Sequence, residues 1–311
     1  MSEKPYELII VGGGPAGLTA GIYAARARLR TVLIEKMPLA GGLASTAHHI
    51  ENYPGYEEGI SGTDLTQRME KQAKRFGLEI VNDEVISSQF RDDLKTVTTS
   101  VSQYRSKAVI IASGTIPKEL DVPGESDLRG KGVSYCATCD GPLFKDKDVV
   151  VVGAGNSGLQ ESLFLTRYVR HIHLVEILPQ PTGDKILQER LEANPNVTFH
   201  LNHMVTAIRG DKKVSSVLLK KTNAGDEFAL EVDGVFIYAG MHPCTEWLGT
   251  EVSLDEEGSV ITDEELRTSR EGVFAAGDVR RKVCRQVATA VGDGALAAFM
   301  SEQYLSAIRP N

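Results

Sequence analysis

One stretch of this chain occurs twice. Residues 7–35 read ELIIVGGGPAGLTAGIYAARARLRTVLIE and residues 148–176 read DVVVVGAGNSGLQESLFLTRYVRHIHLVE. Each copy is a short apolar run, a Gly-x-Gly-x-x-Gly, a helical stretch and a second apolar run ending in an acid. The glycines are Gly12, Gly14 and Gly17, then Gly153, Gly155 and Gly158; the acids Glu35 and Glu176 each lie 23 residues past the first glycine of their copy. The first glycine permits a tight strand-to-helix turn, the second lets a pyrophosphate approach the backbone, and the third lets the helix pack close to the strand. The helix N-terminus offers free N–H groups and a partial positive charge to phosphates. The acid is placed to accept hydrogen bonds from ribose hydroxyls. A lone motif of this kind arises for structural reasons, but two copies in strand–turn–helix context, with the acid at the same offset, point to two dinucleotide sites. The alternative is one working site and one decayed copy kept for structure.

The rest of the chain fits an α/β protein in which one nucleotide domain is interrupted by a second. Residues 51–63 read as a loop, and residues 64–77 as an amphipathic helix opening at an Asp or Thr cap, with Leu65, Met69, Ala73 and Phe76 on one face. Val109, Ile110 and Ile111 form a buried strand running into Ala112-Ser113-Gly114. Pro117–Gly132 reads as a crossover. Strand-like segments follow the second copy at 197–208, 214–221 and 227–238, and a second crossover lies near Gly240 to Trp247. The chain then returns through Gly272–Asp278 to a helix from about Gln286 to Leu305.

Composition narrows the function classes. With 34 Lys and Arg against 42 Asp and Glu, the net charge of −8 lacks the basic footprint of a nucleic-acid binder. Four cysteines are too few for a disulfide scaffold in 311 residues. The opening Met-Ser-Glu-Lys-Pro-Tyr-Glu does not read as a signal peptide, and no apolar run reaches the roughly 20 residues of a membrane helix. The expectation is a cytoplasmic protein without membrane or nucleic-acid partners.

Cys136-Ala137-Thr138-Cys139, followed by Asp140, sits just before the second glycine motif. Two thiols at this spacing can close a small disulfide, and the motif depresses thiol pKa values; Asp140 is placed to donate or accept a proton during exchange. A zinc site needs four ligands, and no second Cys-x-x-Cys or paired histidines lie nearby. A purely structural disulfide does not suit a cytosolic chain. A dithiol paired with two dinucleotide motifs favours redox chemistry, with one motif for a flavin and one for a hydride donor. No metal site is expected.

These residues carry a resemblance. GGGPAGLTAGIYAARA at 12–27, ENYPG at 51–55, CATCDG at 136–141, GAGNSG at 153–158, GVFAAGDV at 272–279 and RQVATAVGDG at 285–294 resemble the low-molecular-weight, bacterial-type thioredoxin reductases over nearly the whole chain. The resemblance implies two Rossmann-like dinucleotide-binding domains. The FAD domain would comprise 1–118 and 246–311, and the nicotinamide domain, 119–245, would be inserted into it and carry the dithiol. It implies FAD bound through Gly12, Gly14, Pro15, Ala16, Gly17, Glu35, Lys36, Gly42, Asn52, Ala112, Gly277 and Asp278, with Arg285 and Gln286 near the flavin ring. The nicotinamide cofactor would meet Gly153, Gly155, Asn156, Ser157, Gly158 and Glu176. Cys139 would be the flavin-side thiol, Cys136 the one that attacks thioredoxin, and Asp140 the acid/base. A homodimer is implied, with a small domain that swings between two orientations. The partner would be thioredoxin or a thioredoxin-like disulfide protein.

The chain departs from the family pattern at the second site. Family members that use NADPH carry His-Arg-Arg after the second strand of the nicotinamide domain and another arginine a few residues on; here those places hold Glu176, Ile177, Leu178 and Thr182. NADH is therefore the expected donor, with NADPH second. Compensation by Arg167 or Arg170 is the alternative, and a non-nicotinamide donor such as ferredoxin, or a dithiol oxidase, is a further one. Gly158 also stands where the family has alanine, Asn156 where it has Asp, and Gly41-Gly42-Leu43 replaces Gly-Gly-Gln. Cys244 and Cys284 read as small buried fillers, and His48-His49 receives no role. The flavin subunit of a peroxide-reducing system would add an N-terminal thioredoxin-like domain, and only ten residues or so precede the first glycine turn. A non-enzymatic flavin-binding redox sensor is the competing function from another class.

Overall fold

The computed structural model describes residues 5–222, 225 and 227–308; part of the reading of the amino end falls on residues 1–4, outside that range. The chain divides into two compact units, residues 1–116 with 242–311 and residues 117–241.

The first unit is built on β-branched runs that only a doubly covered sheet can bury. Five parallel strands lie in the order Glu79–Asn82, Thr31–Glu35, Tyr6–Val11, Gln103–Ile111 and Val273–Ala275. Side chains alternate between two cores. Leu8, Ile10, Leu33, Ile110 and Phe274 face one layer, and Ile9, Val11, Val32, Ile34 and Val109 the other, as expected of a parallel sheet covered on both faces. The long strand Gln103–Ile111 changes partner midway. Its first half pairs antiparallel with Lys95–Thr99, which pairs in turn with Val85–Phe90. The helix Pro15–Arg26 packs against the last helix, Val287–Ala307. Their closeness depends on Gly294, where a Cβ would stand 2.2 Å from the Ala16 carbonyl oxygen.

The helix expected over 64–77 spans Gly62–Arg75 and buries Leu65, Met69 and Ala73. Its cap is neither Asp nor Thr but Ser61, whose Oγ accepts from the Asp64 N–H at 3.0 Å. Ser61 is extended, which lets its hydroxyl fold back over the first turn.

The second unit repeats the parallel core on a smaller scale, in the order Val197–Leu201, His171–Glu176, Asp148–Val152, Gly234–Ile237 and Val133–Ser134. A separate antiparallel sheet holds His203–Gly210, Val214–Lys221 and Glu227–Glu231. The strands expected at 197–208 and 227–238 are therefore each two strands in different sheets. Asn202, at φ +56°, turns the chain out of the first sheet. At the other break, the Val232 N–H donates to Ser215 of the antiparallel sheet and the Asp233 N–H to Asp148 of the parallel one. Among the described residues no helix is long and apolar enough to cross a membrane.

Candidate functional site

The first glycine turn follows from steric necessity. Gly12 has φ +105°, and a Cβ there would lie 2.2 Å from the Ala112 carbonyl oxygen; a Cβ on Gly17 would lie 1.9 Å from the Gly12 carbonyl oxygen. Gly14 caps the helix in an extended conformation, and Pro15, which has no N–H to satisfy, starts it. A Cβ on Gly14 would meet nothing nearer than Gly42 Cα at 3.9 Å, so the mouth of the helix is open. Ala16, Gly17 and Ala112 are buried around it. Glu35 is buried, and its carboxylate is tied to backbone: Oε2 accepts from the Gly13 N–H at 2.6 Å and Oε1 from the Met37 N–H at 2.8 Å. Lys36 is exposed and paired with Glu84 at 2.6 Å.

The second turn reproduces this geometry atom for atom. Gly153 has φ +100°, and a Cβ there would lie 2.3 Å from the Tyr238 carbonyl oxygen; a Cβ on Gly158 would lie 1.9 Å from that of Gly153. Glu176, also buried, accepts from the Ala154 N–H at 2.7 Å and the Leu178 N–H at 3.0 Å. Here the mouth is framed by the segment after the strand. Asn156 Oδ1 accepts from the Asp184 N–H at 2.7 Å, and Thr182 Oγ1 stands 3.8 Å from where a Cβ of Gly155 would be. Ser157 is exposed.

The chain's return closes the first turn from its other end. Gly277, at φ +81°, packs so near Ala16 that a Cβ would stand 2.9 Å from the alanine methyl. Beside it, Asp278 Oδ1 and Arg285 Nε are buried without a hydrogen-bond partner among the described residues. Burial pushes the Asp278 carboxyl up, against the pull of Lys282 and Arg285. Asn52 donates to Gln286 Oε1 at 3.0 Å. A flavin dinucleotide needs room at a helix N-terminus and polar partners for its hydroxyls and ring. The open mouth at Gly14, the orphaned acceptor of Asp278 and the orphaned donor of Arg285 fit those needs.

Sequence reasoning assigned no role to Asp293. Its carboxylate accepts from the Gly277 N–H at 3.0 Å, Arg280 Nε at 2.9 Å and Lys282 Nζ at 2.7 Å, and so holds the closing segment in place. Burial pushes Asp293 up, but the hydrogen bonds from Arg280 and Lys282 outweigh it and hold the group below its ordinary range. The signal was present: Asp293 is the one charged residue between Val287 and Ser301.

Cys136 and Cys139 form a disulfide with Cα atoms 5.3 Å apart. Cys136 caps the short helix Ala137–Asp140, its Sγ accepting from the Cys139 N–H at 3.2 Å. Cys139 is exposed and Cys136 partly buried. Asp140 is not free: its Oδ2 accepts from Ser134 Oγ at 2.7 Å, and that hydroxyl in turn accepts from the Cys136 N–H at 3.1 Å. Tyr238 Oη accepts from the Ala137 N–H at 2.9 Å. Neither Ser134 nor Tyr238 carries a local sequence signal. Cys284 corrects an expectation: it is exposed rather than a buried filler, because it sits in the loop between Asp278 and the last helix. Cys244 is partly buried, and that burial pushes its thiol up.

Two glycine turns of one build, with a dithiol in the same unit as the second, define a class of redox protein. Residues 6–294 match the pyridine nucleotide-disulphide oxidoreductase family. A thioredoxin reductase of Treponema pallidum is 44% identical over 307 residues, covering 99% of this chain and 99% of that one. Among solved structures, a thioredoxin reductase of Lactococcus lactis superimposes with a TM-score of 0.95 at 36% identity, over 97% of this chain and all of that one. The thioredoxin reductase of T. acidophilum gives 0.92 at 39% identity, over 99% of this chain and all of that one. The chain belongs to the pyridine nucleotide-disulphide oxidoreductases, in their thioredoxin reductase branch.

Proposed function

We infer that this chain is an FAD-dependent thioredoxin-disulfide reductase. Electrons pass from a nicotinamide nucleotide through FAD to the Cys136–Cys139 disulfide, and from the dithiol to the disulfide of thioredoxin. The observation that carries this reading is the disulfide itself, held in the unit that also contains the second glycine turn. FAD, when bound, joins two-electron hydride chemistry to thiol–disulfide exchange. The FAD-binding domain is 1–118 with 246–311, and the nicotinamide-binding domain is 119–245. The N–H groups of Gly14, Ala16 and Gly17 would receive the FAD pyrophosphate, Asp278 would hold a cofactor hydroxyl, and Arg285 and Gln286 would lie toward the ring. Cys136 attacks the partner disulfide through a mixed disulfide. Asp140, steadied by Ser134, moves the proton. The protein acts in the cytoplasm as a homodimer.

NADH is the preferred donor. Supporting this, Glu176 is buried at the strand end with both oxygens on backbone N–H groups, and Ile177 and Leu178 beside it are exposed and apolar. At positions 176–178 and 182 a 2′-phosphate brought there meets an acid and no cation, and like charges placed together cost energy. Arg170 offers no compensation. It precedes the strand His171–Glu176, so it lies about 20 Å from the other end at roughly 3.3 Å per residue, and it forms a bidentate pair with Asp148 at 2.8 and 2.7 Å. Arg167 follows the far end of the helix Asn156–Leu165.

Anaerobic bleaching of the flavin by NADH, NADPH and reduced ferredoxin, followed by addition of oxidised thioredoxin, tests both parts. NADH is expected to bleach fastest, and thioredoxin to restore the colour. Equal or faster bleaching by NADPH rejects the donor preference. Bleaching by ferredoxin alone makes the second glycine turn a structural relic, and no reoxidation by thioredoxin rejects the reductase reading.

A further inference from the structure

The helix Asn156–Leu165 carries a carboxyl that neither nucleotide binding nor the dithiol chemistry above uses. Oε2 of Glu161 is buried and makes no hydrogen bond. Thr138, between the two cysteines, is its polar neighbour. The Thr138 Oγ1 is also buried and unbonded, close enough to draw the carboxyl down slightly but not in hydrogen-bonding geometry. Tyr238 completes the group. Its hydroxyl holds the Ala137 N–H, and burial first, then the charges of Glu161 and Asp140, oppose its ionisation. Glu161, Thr138 and Tyr238 thus adjoin the turn that carries the disulfide, all within one unit.

Among the described residues no cation pairs with this carboxyl. The elements packed on its helix are Ala137–Asp140, Gly141–Phe144, the strands Asp148–Val152 and His171–Glu176, and the helix Lys185–Glu192. Asp148 is held by Arg170, His173 by His200, Glu176 by backbone and Lys185 by Gln188. The remaining charged groups on these elements, Asp140, His171, Glu189, Arg190 and Glu192, make no ion pair with Glu161 among the described residues. Burial therefore dominates and pushes the Glu161 carboxyl up to about 7, the mark of a charged form disfavoured by desolvation.

We propose that Glu161 is a positioning residue for the Cys136–Cys139 dithiol: its charge, felt across Thr138 and Tyr238, sets how readily the reduced cysteines lose a proton, and hence how easily the disulfide is reduced. This rests on the reading of Cys136–Cys139 as the redox pair. The sign follows from electrostatics. Ionised Glu161 disfavours a thiolate nearby, and reduction of the disulfide is favoured wherever thiolates are stable. As pH falls and Glu161 takes up its proton, the effect fades. Conversely, a thiolate formed on reduction raises the affinity of Glu161 for a proton, so the carboxyl takes up a proton as the dithiol releases one.

The test is equilibration of the full-length, FAD-loaded protein with dithiothreitol and its oxidised form from pH 5.5 to 8.5, counting protein thiols after an acid quench. In that exchange the Cys136–Cys139 bond opens to two thiols while dithiothreitol closes to its cyclic disulfide, two electrons and two hydrogens changing hands. Glu161→Gln is expected to favour the reduced protein roughly three- to tenfold more than the parent at pH 8.5, and to match it at pH 5.5. Glu161→Ala is expected to behave alike, and Glu161→Asp, which restores the carboxylate, to recover the parent pH profile. Curves displaced equally at every pH, or coincident at pH 8.5, overturn the proposal. A parent protein that fails to reduce thioredoxin but shows this pH divergence overturns the reductase reading and leaves Glu161 in place; a disulfide that does not exchange with dithiothreitol overturns both.

Discussion

Asn52 and Gln286 are 234 residues apart in sequence and joined by a 3.0 Å hydrogen bond between their side-chain amides. Gln286 also caps the last helix, sharing a reciprocal capping box with Thr289. One side chain thus ties the 51–55 loop to the start of the helix that packs on Pro15–Arg26. Gln286→Ala loses both cap and bridge and is expected to destabilise the protein by about 1–2 kcal/mol in urea unfolding. Asn52→Ala loses only the bridge and is expected to cost about half as much. Equal costs for the two would show that the cap contributes nothing.

Asp278 is the sharper probe of the flavin site. Its buried Oδ1 has no hydrogen-bond partner among the described residues. Asp278→Ala is expected to weaken FAD retention by about 1.5–3 kcal/mol, the worth of a hydrogen bond to a charged group. Fluorescence of released flavin on dilution measures it, and unchanged retention would remove Asp278 from the site.

The cysteines separate by role. Cys136→Ser and Cys139→Ser are each expected to abolish turnover of thioredoxin while the flavin still bleaches with its nucleotide donor. Cys284, although exposed, and Cys244 lie outside the disulfide, and serine at either is expected to keep turnover within about twofold, as for surface substitutions away from special features. Normal thioredoxin reduction by Cys136→Ser would refute the dithiol assignment.

Donor choice is open to engineering without touching Glu176. That carboxylate holds two backbone N–H groups, and its removal would leave them unpaired at about 1–3 kcal/mol each if they stay dry. Arginine at Ile177, Leu178 and Thr182 together is instead expected to raise kcat/KM for NADPH over NADH by roughly 10–200-fold. No change in that ratio would place the 2′-hydroxyl elsewhere.

A histidine group on the second unit predicts acid sensitivity. His173 Nδ1 and His200 Nε2 are 3.1 Å apart, with His171 beside them. Burial first, then the neighbouring His171 and His200, push His173 down to about 4. The unfolded chain, with an ordinary histidine near 6.5, takes up the proton first, so this contribution is present above about pH 6.5 and lost as pH falls toward 4. Discounted for partial exposure, the loss is about 1–2 kcal/mol. Urea unfolding at pH 7 and pH 4.5 measures it, and His173→Asn is expected to flatten the difference.

What the sequence made legible was local. The glycine turns could be read because Gly12, Gly17, Gly153 and Gly158 each answer a clash within a few residues of themselves or with one neighbouring strand. The acids at Glu35 and Glu176 were placed correctly at the strand ends, but their hold on backbone N–H groups was not foreseen. What escaped was set by backbone conformation or by distant partners. Ser61 wins the helix cap because the backbone there is extended. Asn202 splits an apparently continuous strand because its left-handed turn sends the chain to a second sheet. Asp293, Ser134, Tyr238 and Glu161 acquire meaning only from what folding brings beside them.

Tyr238 joins two features that look separate. Its carbonyl oxygen lies against Gly153 in the second turn, the place Ala112 takes at Gly12 in the first, while its hydroxyl grips the Ala137 N–H beneath the cysteines. In the first copy this position is a plain methyl; in the second it is a rivet between the nucleotide turn and the redox helix. The two can no longer drift independently. A side chain lost here would loosen the seat of the dithiol while sparing the carbonyl that faces the glycine.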